Sequence, residues 1–586
     1  MFDFIIINPV YLHTKSFECI HFTDLKKTVY AQDEEYQRDQ LIKMKEQIKQ
    51  KSRAKRTLIE LLMYCIYVFA VFSISYVNRD DRSYMLNEHI RKELIDSSKT
   101  QFGFSKVSSA ETFFTWLKST LFPKYFPTTN FDGATSLDAR DRLFFGDLVN
   151  HRVGPARLRQ VRMHPGPCYL AGIETSRPCV DRYDLESGDE QSYCLRWEPY
   201  DSFCNLSSRM YYTKTAWNYT KAKDIWGIPI KSEYNIYGGG GYILNFEVDL
   251  TNSQLLISEL MQNMWIDRGT RAVFMEFSFY NPNTNLFVYV IFLLELTELG
   301  VVTWNDVRVF RPYQMHAGVG AYIIVCYFIY IVALIISTVK AAFQIKTTGL
   351  RYFTQFWTIL DVFCILIGYT LIVMWSLRYV YANRAMSSYR ENVKVFVNFQ
   401  HIVIWDYVFS IFLGGLVFLC TLRLLRILGY SKRITQLASV LSLAAKEIFS
   451  FLVMFCLAFF AFASFGYLLF GKSIKDYRSL FSTLGSLSNS LIGRNSLDKM
   501  IQYVPAFAQI YYIVYVFFII FILITIFMAI LNQSISEVKA EVMRDNSYGI
   551  IDVITEVIQD VTGISFNKSD VSNKAPSGGK GNFGLY

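Results

Sequence analysis

Long apolar segments alternate with polar segments along this chain. The apolar segments lie at residues 58–77, 320–340, 357–377, 407–428, 447–470 and 507–531. A helix of about 20 apolar residues crosses the hydrocarbon core of a bilayer, which is roughly 30 Å thick. The pattern therefore predicts six membrane-spanning helices, called the first to sixth spans below.

The connection between the fifth and sixth spans has a pattern of its own. An amphipathic run is followed by three residues of different character: Leu480, Leu484, Leu487 and Leu491, then Ile492, Gly493 and Arg494. This connection is too short to cross a bilayer and return as two ordinary helices. Irregular backbone at membrane depth is tolerated only where protein buries it or water reaches it. The pattern predicts a pore loop with residues 491–494 as its selectivity filter; an ordinary external loop is the alternative.

Charges beside the apolar segments orient the chain. A basic cluster precedes the first span (Lys51, Arg53, Lys55 and Arg56), and such clusters mark the cytosolic side. The cluster is either solvated or in contact with anionic membrane lipids. The pattern gives a cytosolic segment at 1–57, the first span at 58–77, an extracellular domain at 78–314, the second to fourth spans at 320–428, a connector at 429–446, a pore domain at 447–532 and a cytosolic tail at 533–586.

Two further predictions concern the first ten residues and the polar domain at 78–314. Residues 2–10 are apolar but too short to span, and we interpret them as the stump of an earlier helix in a longer protein. In the polar domain, helices are predicted at 82–95 and 110–121, and strands at 241–250 and 271–280, which indicates an α+β domain.

Composition agrees with a membrane protein that carries a folded external domain. Hydrophobic residues make up 52% of the chain and aromatic residues 17%, which is unusual for a soluble protein. The net charge of +9 is concentrated beside apolar spans, so it does not indicate nucleic-acid binding. The sequence contains no nucleophile elbow, HExxH or P-loop motif, and its seven histidines are scattered. We therefore expect no enzyme activity.

Four cysteines lie within one polar stretch, Cys168, Cys179, Cys194 and Cys204, beside two glycosylation sequons at Asn205 and Asn218. Together they indicate an oxidising, extracellular or luminal compartment with two disulfide bonds in any of three pairings. The cysteine spacings do not match those of zinc sites, and the tail has no EF-hand loop. No cofactor is expected; calcium enters only as a permeant or regulatory ion.

Two arginines lie three residues apart in the fourth span, Arg423 and Arg426, and so share one helix face. A buried charge in a span needs a partner, and Asp361 in the third span is the candidate. The two alternatives are voltage sensing and structural ion pairing.

Several stretches resemble the polycystins, a branch of the TRP cation channels. These stretches are YGGGGYILNF (237–246), RGTRAVFMEFSFYNPNTNLF (268–287), YSKRITQLASVLSLAAKEIFSFLVMF (430–455) and FILITIFMAILNQSISEVK (521–539). The resemblance implies an α-helical polytopic membrane protein with the six-span voltage-gated-like, TRP channel fold and an extracellular polycystin domain. It also implies a lower gate at Met528 and Asn532, which share a helix face.

The filter and three other stretches favour the polycystin-1-like branch. Channel-forming polycystins carry Leu-Gly-Asp in the filter, whereas this chain has Ile492, Gly493 and Arg494. The other stretches that resemble this branch are the basic helix before the first span, SYMLNEHIRKEL (83–94) and PARLRQVRM (155–163). The resemblance then implies that the chain is the channel-like end of a longer protein.

The resemblance implies a tetrameric pore, and Arg494 affects how that pore would work. Four arginines around one axis would repel one another by several kcal/mol at an effective dielectric constant of about 20, and they would repel cations. We therefore expect a calcium-permeable, nonselective channel shared with polycystin-2-type subunits, in plasma or ciliary membranes and linked to mechanical or chemical sensing. Two alternatives remain: Arg494 points away from the axis and pairs with Asp498, or the chain is a non-conducting receptor or scaffold.

Overall fold

The computed structural model describes residues 45, 59–96, 102–130, 133, 141–164, 183–200, 213–246, 249–313, 320–428, 432–494 and 497–542. The side chains of 426–428, 432–443, 520 and 537–542 are outside that description. The chain divides into two compact units, one of Cys65–Thr421 and one that joins Met1–Tyr64 to Leu422–Tyr586.

Helices account for most of the described residues. In chain order they are α1 (59–78), α2 (Asp81–Leu94), α3 (Ala110–Trp116), α4 (Phe122–Tyr125), α5 (Leu250–Gln262), α6 (Gly320–Thr348), α7 (Phe356–Glu391), α8 (Gln400–Leu428), α9 (Lys432–Phe470), α10 (Leu480–Leu491), α11 (Leu497–Tyr503), α12 (Pro505–Tyr515) and α13 (Ile524–Val542). Two π-helical segments, Leu117–Leu121 and Val516–Leu523, link α3 to α4 and α12 to α13.

Strands are confined to the polar domain among the described residues. They are β1 (His151–Arg152), β2 (Arg157–Arg162), β3 (Tyr219–Thr220), β4 (Ile230–Lys231), β5 (Ile236–Tyr237), β6 (Gly241–Asn245), β7 (Thr270–Asn281), β8 (Leu286–Thr297) and β9 (Gly300–Phe310). The main sheet has the order β3-β6-β2-β7-β8-β9, with β1 paired to β7, and all of its pairings are antiparallel. The strands β4 and β5 form a separate hairpin.

The sheet is covered on both faces, which explains why its central strands β2, β7 and β8 are buried along almost their whole length. Alternate side chains of a strand point to opposite faces. Val273 and Met275 of β7 pack against α2, α3 and α5, whereas Ala272 and Phe274 pack against residues 382–403. The α+β domain is therefore a three-layer structure whose third layer comes from the ends of α7 and α8.

Six helical stretches within the described residues, some of which join consecutive helices, are long and apolar enough to cross a membrane. They are Ile59–Leu94, Gly320–Thr354, Phe356–Glu391, Gln400–Leu425, Ala444–Phe470 and Pro505–Ser536. The predicted six-span architecture with an α+β domain is confirmed. The glycines at 238–241 allow a close backbone approach, because an added Cβ at Gly239 would lie 2.4 Å from the carbonyl of Gly227.

Three predicted boundaries differ from the structure. The strand predicted to reach Leu250 ends at Asn245, because Leu256, Ile257 and Leu260 have the spacing of a buried helix face and belong to α5. The third span continues as helix to Glu391 instead of ending near residue 377. The predicted connector at 429–446 is helical from Lys432 and continuous with the fifth span.

The centre of the sheet holds a charged cluster that sequence patterns did not indicate. The Nε and Nη2 atoms of Arg157 donate to one carboxylate oxygen of Glu276 at 2.8 and 2.5 Å, and Arg159 lies 3.4 Å from the other oxygen. All three side chains are buried. Burial alone would raise the pKa of Glu276, but the two guanidinium groups hold it below the ordinary value.

A second buried carboxylate on the neighbouring strand has the opposite environment. One oxygen of Glu295 accepts hydrogen bonds from the hydroxyls of Ser232 and Tyr237, each at 2.8 Å. Among the described residues no cation pairs with Glu295, and burial raises the pKa of its carboxyl group. The two glutamates therefore form a matched pair for testing the role of charge in the domain.

We expect Glu276→Gln to destabilise the protein and Glu295→Gln to preserve or raise its stability at neutral pH. The first change leaves two buried arginines without their carboxylate, at a cost of about 3–5 kcal/mol. The second keeps an oxygen that accepts both hydroxyls and removes a charge that burial disfavours. Thermal unfolding of the purified chain, followed by tryptophan fluorescence, measures both.

The pH dependence separates the two residues further. Because the pKa of Glu276 is lowered by folding, its stabilisation is present above the ordinary glutamate pKa and is lost as the pH falls through the folded value. The difference between the wild type and Glu276→Gln should therefore shrink on acidification. Equal losses of stability in both variants at pH 7 would contradict this account.

Candidate pore and filter

The helix α10 begins where the sequence pattern predicts a pore helix. The fifth span ends at Phe470, and the amide of Gly471 donates to the carbonyl of Tyr467 at 2.8 Å. The hydroxyl of Ser479 then caps α10 by accepting from the amide of Ser482 at 3.2 Å. With 12 residues, α10 is about 18 Å long and cannot cross the hydrocarbon core.

The end of α10 turns sharply through the predicted filter. Leu491 is the last helical residue, and the amides of Ile492 and Gly493 donate to carbonyls of the last turn at 3.1 Å each. The amide of Arg494 donates to the carbonyl of Asn489 at 3.0 Å. Gly493 has a φ of +86°, in the left-handed region that glycine adopts most readily at helix C-termini.

The pore helix is held in place by hydrogen bonds from neighbouring segments. The hydroxyl of Tyr515 in α12 donates to the carbonyl of Leu487 at 2.9 Å, and both side chains are buried. Thr483 donates to the carbonyl of Tyr477 at 3.3 Å. These bonds connect the middle of α10 to the sixth span and to the segment that precedes α10. A displacement of either neighbour would therefore move the filter turn.

The side chains of the filter turn face away from the protein interior. Ile492 is 79% exposed, and Arg494 is also exposed, while Leu491 is half-buried. Arg494 and Asp498 form no ion pair in the part of the chain that the structure describes, and the alternative in which Arg494 points away from the axis stays a prediction. The neighbouring Lys499 instead pairs with Asp476 at 3.1 Å.

Arg494 follows the C-terminus of α10 by three residues, and its backbone amide returns to the last turn of that helix. The last carbonyls of a helix carry a partial negative charge, which stabilises a cation within about one turn. The guanidinium group therefore suits the local helix, while it opposes a second cation at the same place.

The predicted lower gate lies on α13. Met528 is 50% exposed and Asn532 is exposed, and both lie on one face of the helix. Above them, Val516–Leu523 forms a π-helical segment, which shifts the register of the helix face. Nothing in this uniformly apolar run signals that change, so sequence reasoning missed it.

The charges of the fourth span are only partly described. The guanidinium carbon of Arg423 lies 4.8 Å from the ring centre of Tyr64. The side chain of Arg426 is outside the described residues, and Asp361 is half-buried in α7. The predicted ion pairing of Asp361 stays a prediction.

A different ion pair joins the third and fourth spans. Arg378 is 2% exposed, and its Nη1 atom lies 2.6 Å from Asp406. The same atom lies 3.4 Å from the side-chain oxygen of Asn78, at the end of α1. The available signal was a charged residue at the edge of each apolar run, which the sequence analysis did not use.

Most of the external site predictions lie outside the described residues. Cys168, Cys179, Cys204 and Asn205 are among them. Cys194 is disulfide-bonded, but its partner is not described, so the pairing stays a prediction. Asn218 is half-buried at the end of a short 3₁₀ helix, and its glycosylation stays a prediction. Within the described residues, no group of three or more His, Cys, Asp and Glu side chains is arranged to hold a metal ion.

The six apolar helices and the short helix between the last two define an integral membrane protein with a channel-like pore domain. Residues 314–538 match the sequence family described as "Polycystin cation channel", and residues 103–315 match "Polycystin domain". The two matches are adjacent and together cover more than half of the 586 residues. The chain belongs to the polycystin family, which is an ion-channel family and not an enzyme family.

Relatives from both branches of the family are similar to this chain. Human Polycystin-2-like protein 1 is 25% identical over 83% of this chain and 59% of its own length. Polycystin-2 of Caenorhabditis elegans is 26% identical, over 86% and 69% respectively. Mouse Polycystin-1-like protein 3 is 23% identical over 77% of this chain and 19% of its own length. These identities are too similar to one another to separate the two branches, so the polycystin-1-like assignment stays a prediction.

Two glycines of the pore helix region test the backbone geometry of the filter. We expect Gly493→Ala to lower the thermal stability, because alanine at a positive φ is strained by about 1 kcal/mol. Gly485→Ala, in the middle of α10, should raise it by a similar amount, because alanine is the better helix former. Unfolding temperatures of the purified chain measure both changes.

The comparison is matched because neither change creates a clash. An added Cβ meets nothing within 4 Å at either glycine. The opposite signs therefore depend on backbone conformation alone. A Gly493→Ala variant as stable as Gly485→Ala would show that the turn after α10 does not need a left-handed residue.

Proposed function

We propose that this chain is a pore-forming subunit of a nonselective, calcium-permeable cation channel, assembled as a tetramer with polycystin-2-type subunits. The observation that carries the proposal is the 12-residue α10, too short to span, which ends in an exposed turn at Ile492–Arg494. One chain supplies one such helix, and a closed ring of subunits is needed to complete a pore.

The filter arginine supports a mixed assembly over four identical chains. Arg494 is exposed and has no ion-pair partner among the residues that the structure describes. Four such charges around one axis repel each other and permeant cations. One arginine among acidic filter residues from partner subunits would remove most of this repulsion while still tuning selectivity.

The second candidate is a membrane receptor or scaffold whose pore does not conduct. The exposed positive charge at the filter turn favours it, because cations would be excluded from a ring of identical chains. In this case the polar domain, which we place on the extracellular side, would carry the function. For both candidates we place the protein in plasma or ciliary membranes and expect it to respond to mechanical or chemical stimuli.

Whole-cell recording of this chain with and without a polycystin-2-type subunit distinguishes the candidates. We expect current only with the partner, and we expect Arg494→Asp to increase the calcium-to-sodium permeability ratio several-fold. The added carboxylate would attract divalent cations at the mouth of the filter. Lys472→Asp makes the same charge change at an exposed residue outside the filter turn and should leave the ratio unchanged.

Each outcome bears on one candidate. An unchanged permeability ratio in Arg494→Asp would place the arginine away from the ion path and contradict the filter proposal. Surface assemblies that contain both chains but carry the same current as the partner alone would favour the receptor.

A further inference from the structure

An apolar cavity lies inside the bundle formed by the first four spans. Its volume is about 310 Å³, and it is lined by side chains of α1, α6, α7 and α8, with Val71, Leu371 and Leu413 among the buried ones. All of the lining residues belong to the compact unit Cys65–Thr421. The cavity lies in the halves of these helices nearest the α+β domain, within the membrane.

Polar groups at the two ends of the cavity are already paired within the protein. At its inner end, the hydroxyl of Tyr330 donates to the carbonyl of Gly368 at 3.0 Å. At its outer end, Arg378 is paired with Asp406 and its guanidinium lies over the ring of the lining residue Phe409. A buried water needs two to four polar partners, and dry apolar cavities of about 150 Å³ bind benzene. A cavity twice that size therefore suits an apolar occupant better than water.

The cavity is elongated along the helices. On α6 its lining extends from Ile324 to Ile331, and on α8 from Phe409 to Leu416. Seven residues of helix rise about 10 Å, which is roughly two thirds of one leaflet's hydrocarbon thickness. This shape fits a hydrocarbon chain aligned with the spans.

The opening of the cavity lies along α6. Ile324, Phe328 and Ile331 line it and are 52%, 67% and 42% exposed, whereas the lining residues of α8 are buried. At the outer end, the Arg378–Asp406 pair closes the bundle, and Arg378 is only 2% exposed. An occupant must therefore enter sideways from the hydrocarbon phase, and a charged headgroup has no place inside.

We propose that this cavity is a binding site for one acyl chain of a membrane phospholipid from the leaflet next to the α+β domain. The chain enters between the exposed side chains of α6 and fills the space between the four spans. Its presence would hold the ends of α7 and α8 at a fixed separation, and these ends form one layer of the α+β domain.

Photolabelling of the full-length chain in vesicles tests the proposal. The probe is a phosphatidylcholine with a diazirine near the end of one acyl chain, and the labelled residues are located by peptide mass spectrometry. We expect labelling of Leu371, Leu413 and Leu416, which line the cavity and are buried from the surrounding lipid. Val71→Phe fills the cavity from α1 and should reduce this labelling at least fivefold.

Val373→Phe is the matched control, because Val373 is 57% exposed and does not line the cavity. Its labelling should equal that of the wild type. Val71→Ile adds a single carbon and should give an intermediate reduction in labelling. This variant provides the test if Val71→Phe does not fold. The proposal is overturned if the cavity residues are unlabelled in the wild type, if both Val71 variants keep full labelling, or if a diazirine sterol labels the same residues and displaces the phospholipid.

Discussion

Hydrogen bonding of the backbone in a medium without water is the constraint on which this structure depends. Each unsatisfied amide or carbonyl in hydrocarbon costs several kcal/mol, so lipid-exposed segments must be helical. The spans meet this condition along their whole length. The turn after α10 meets it only in part among the described residues: its three amides return to the last helical turn, whereas its carbonyls accept no backbone hydrogen bond there. A backbone of this kind is stable in a membrane where it lines an aqueous path, which is why the turn, more than the spans around it, indicates a pore.

Within the compact unit Cys65–Thr421, polar contacts link the α+β domain to the third and fourth spans. The side-chain amide of Asn398 donates to the carbonyl of Trp226 at 2.9 Å, and Gln400 exchanges two hydrogen bonds with the backbone of Ile228. The ring of Phe396 covers the guanidinium of Arg157 at 4.0 Å. The segment before α8 is therefore part of the domain's core. A rotation of the domain would act first on the start of the fourth span.

The sequence separation of the interacting residues decided which features of the fold and of the candidate pore could be predicted. Apolar length gave the six spans, and the amphipathic leucines with a following glycine gave the pore helix and its turn, because both signals are local. The continuation of α7 to Glu391 was missed because its last turns are polar, and they are helical through contacts with the domain. The pairing of Arg157 with Glu276 was beyond reach, since 119 residues separate the partners and only the strand register brings them together.

Two arginines show why the surroundings of a charge decide its role. Arg378 is buried, paired with Asp406 and stacked over Phe409. Removing the partner of such a buried charge strongly destabilises the fold. Arg494 is exposed beside a helix C-terminus and lacks a charged partner in the described part of the chain. The first charge is satisfied within the subunit, so it supports structure. The second is exposed beyond the end of a helix and is not part of a buried ion pair among the described residues, so it is available for interactions outside its own helix. The sequence marks both simply as arginines near apolar segments, whereas burial and pairing separate them.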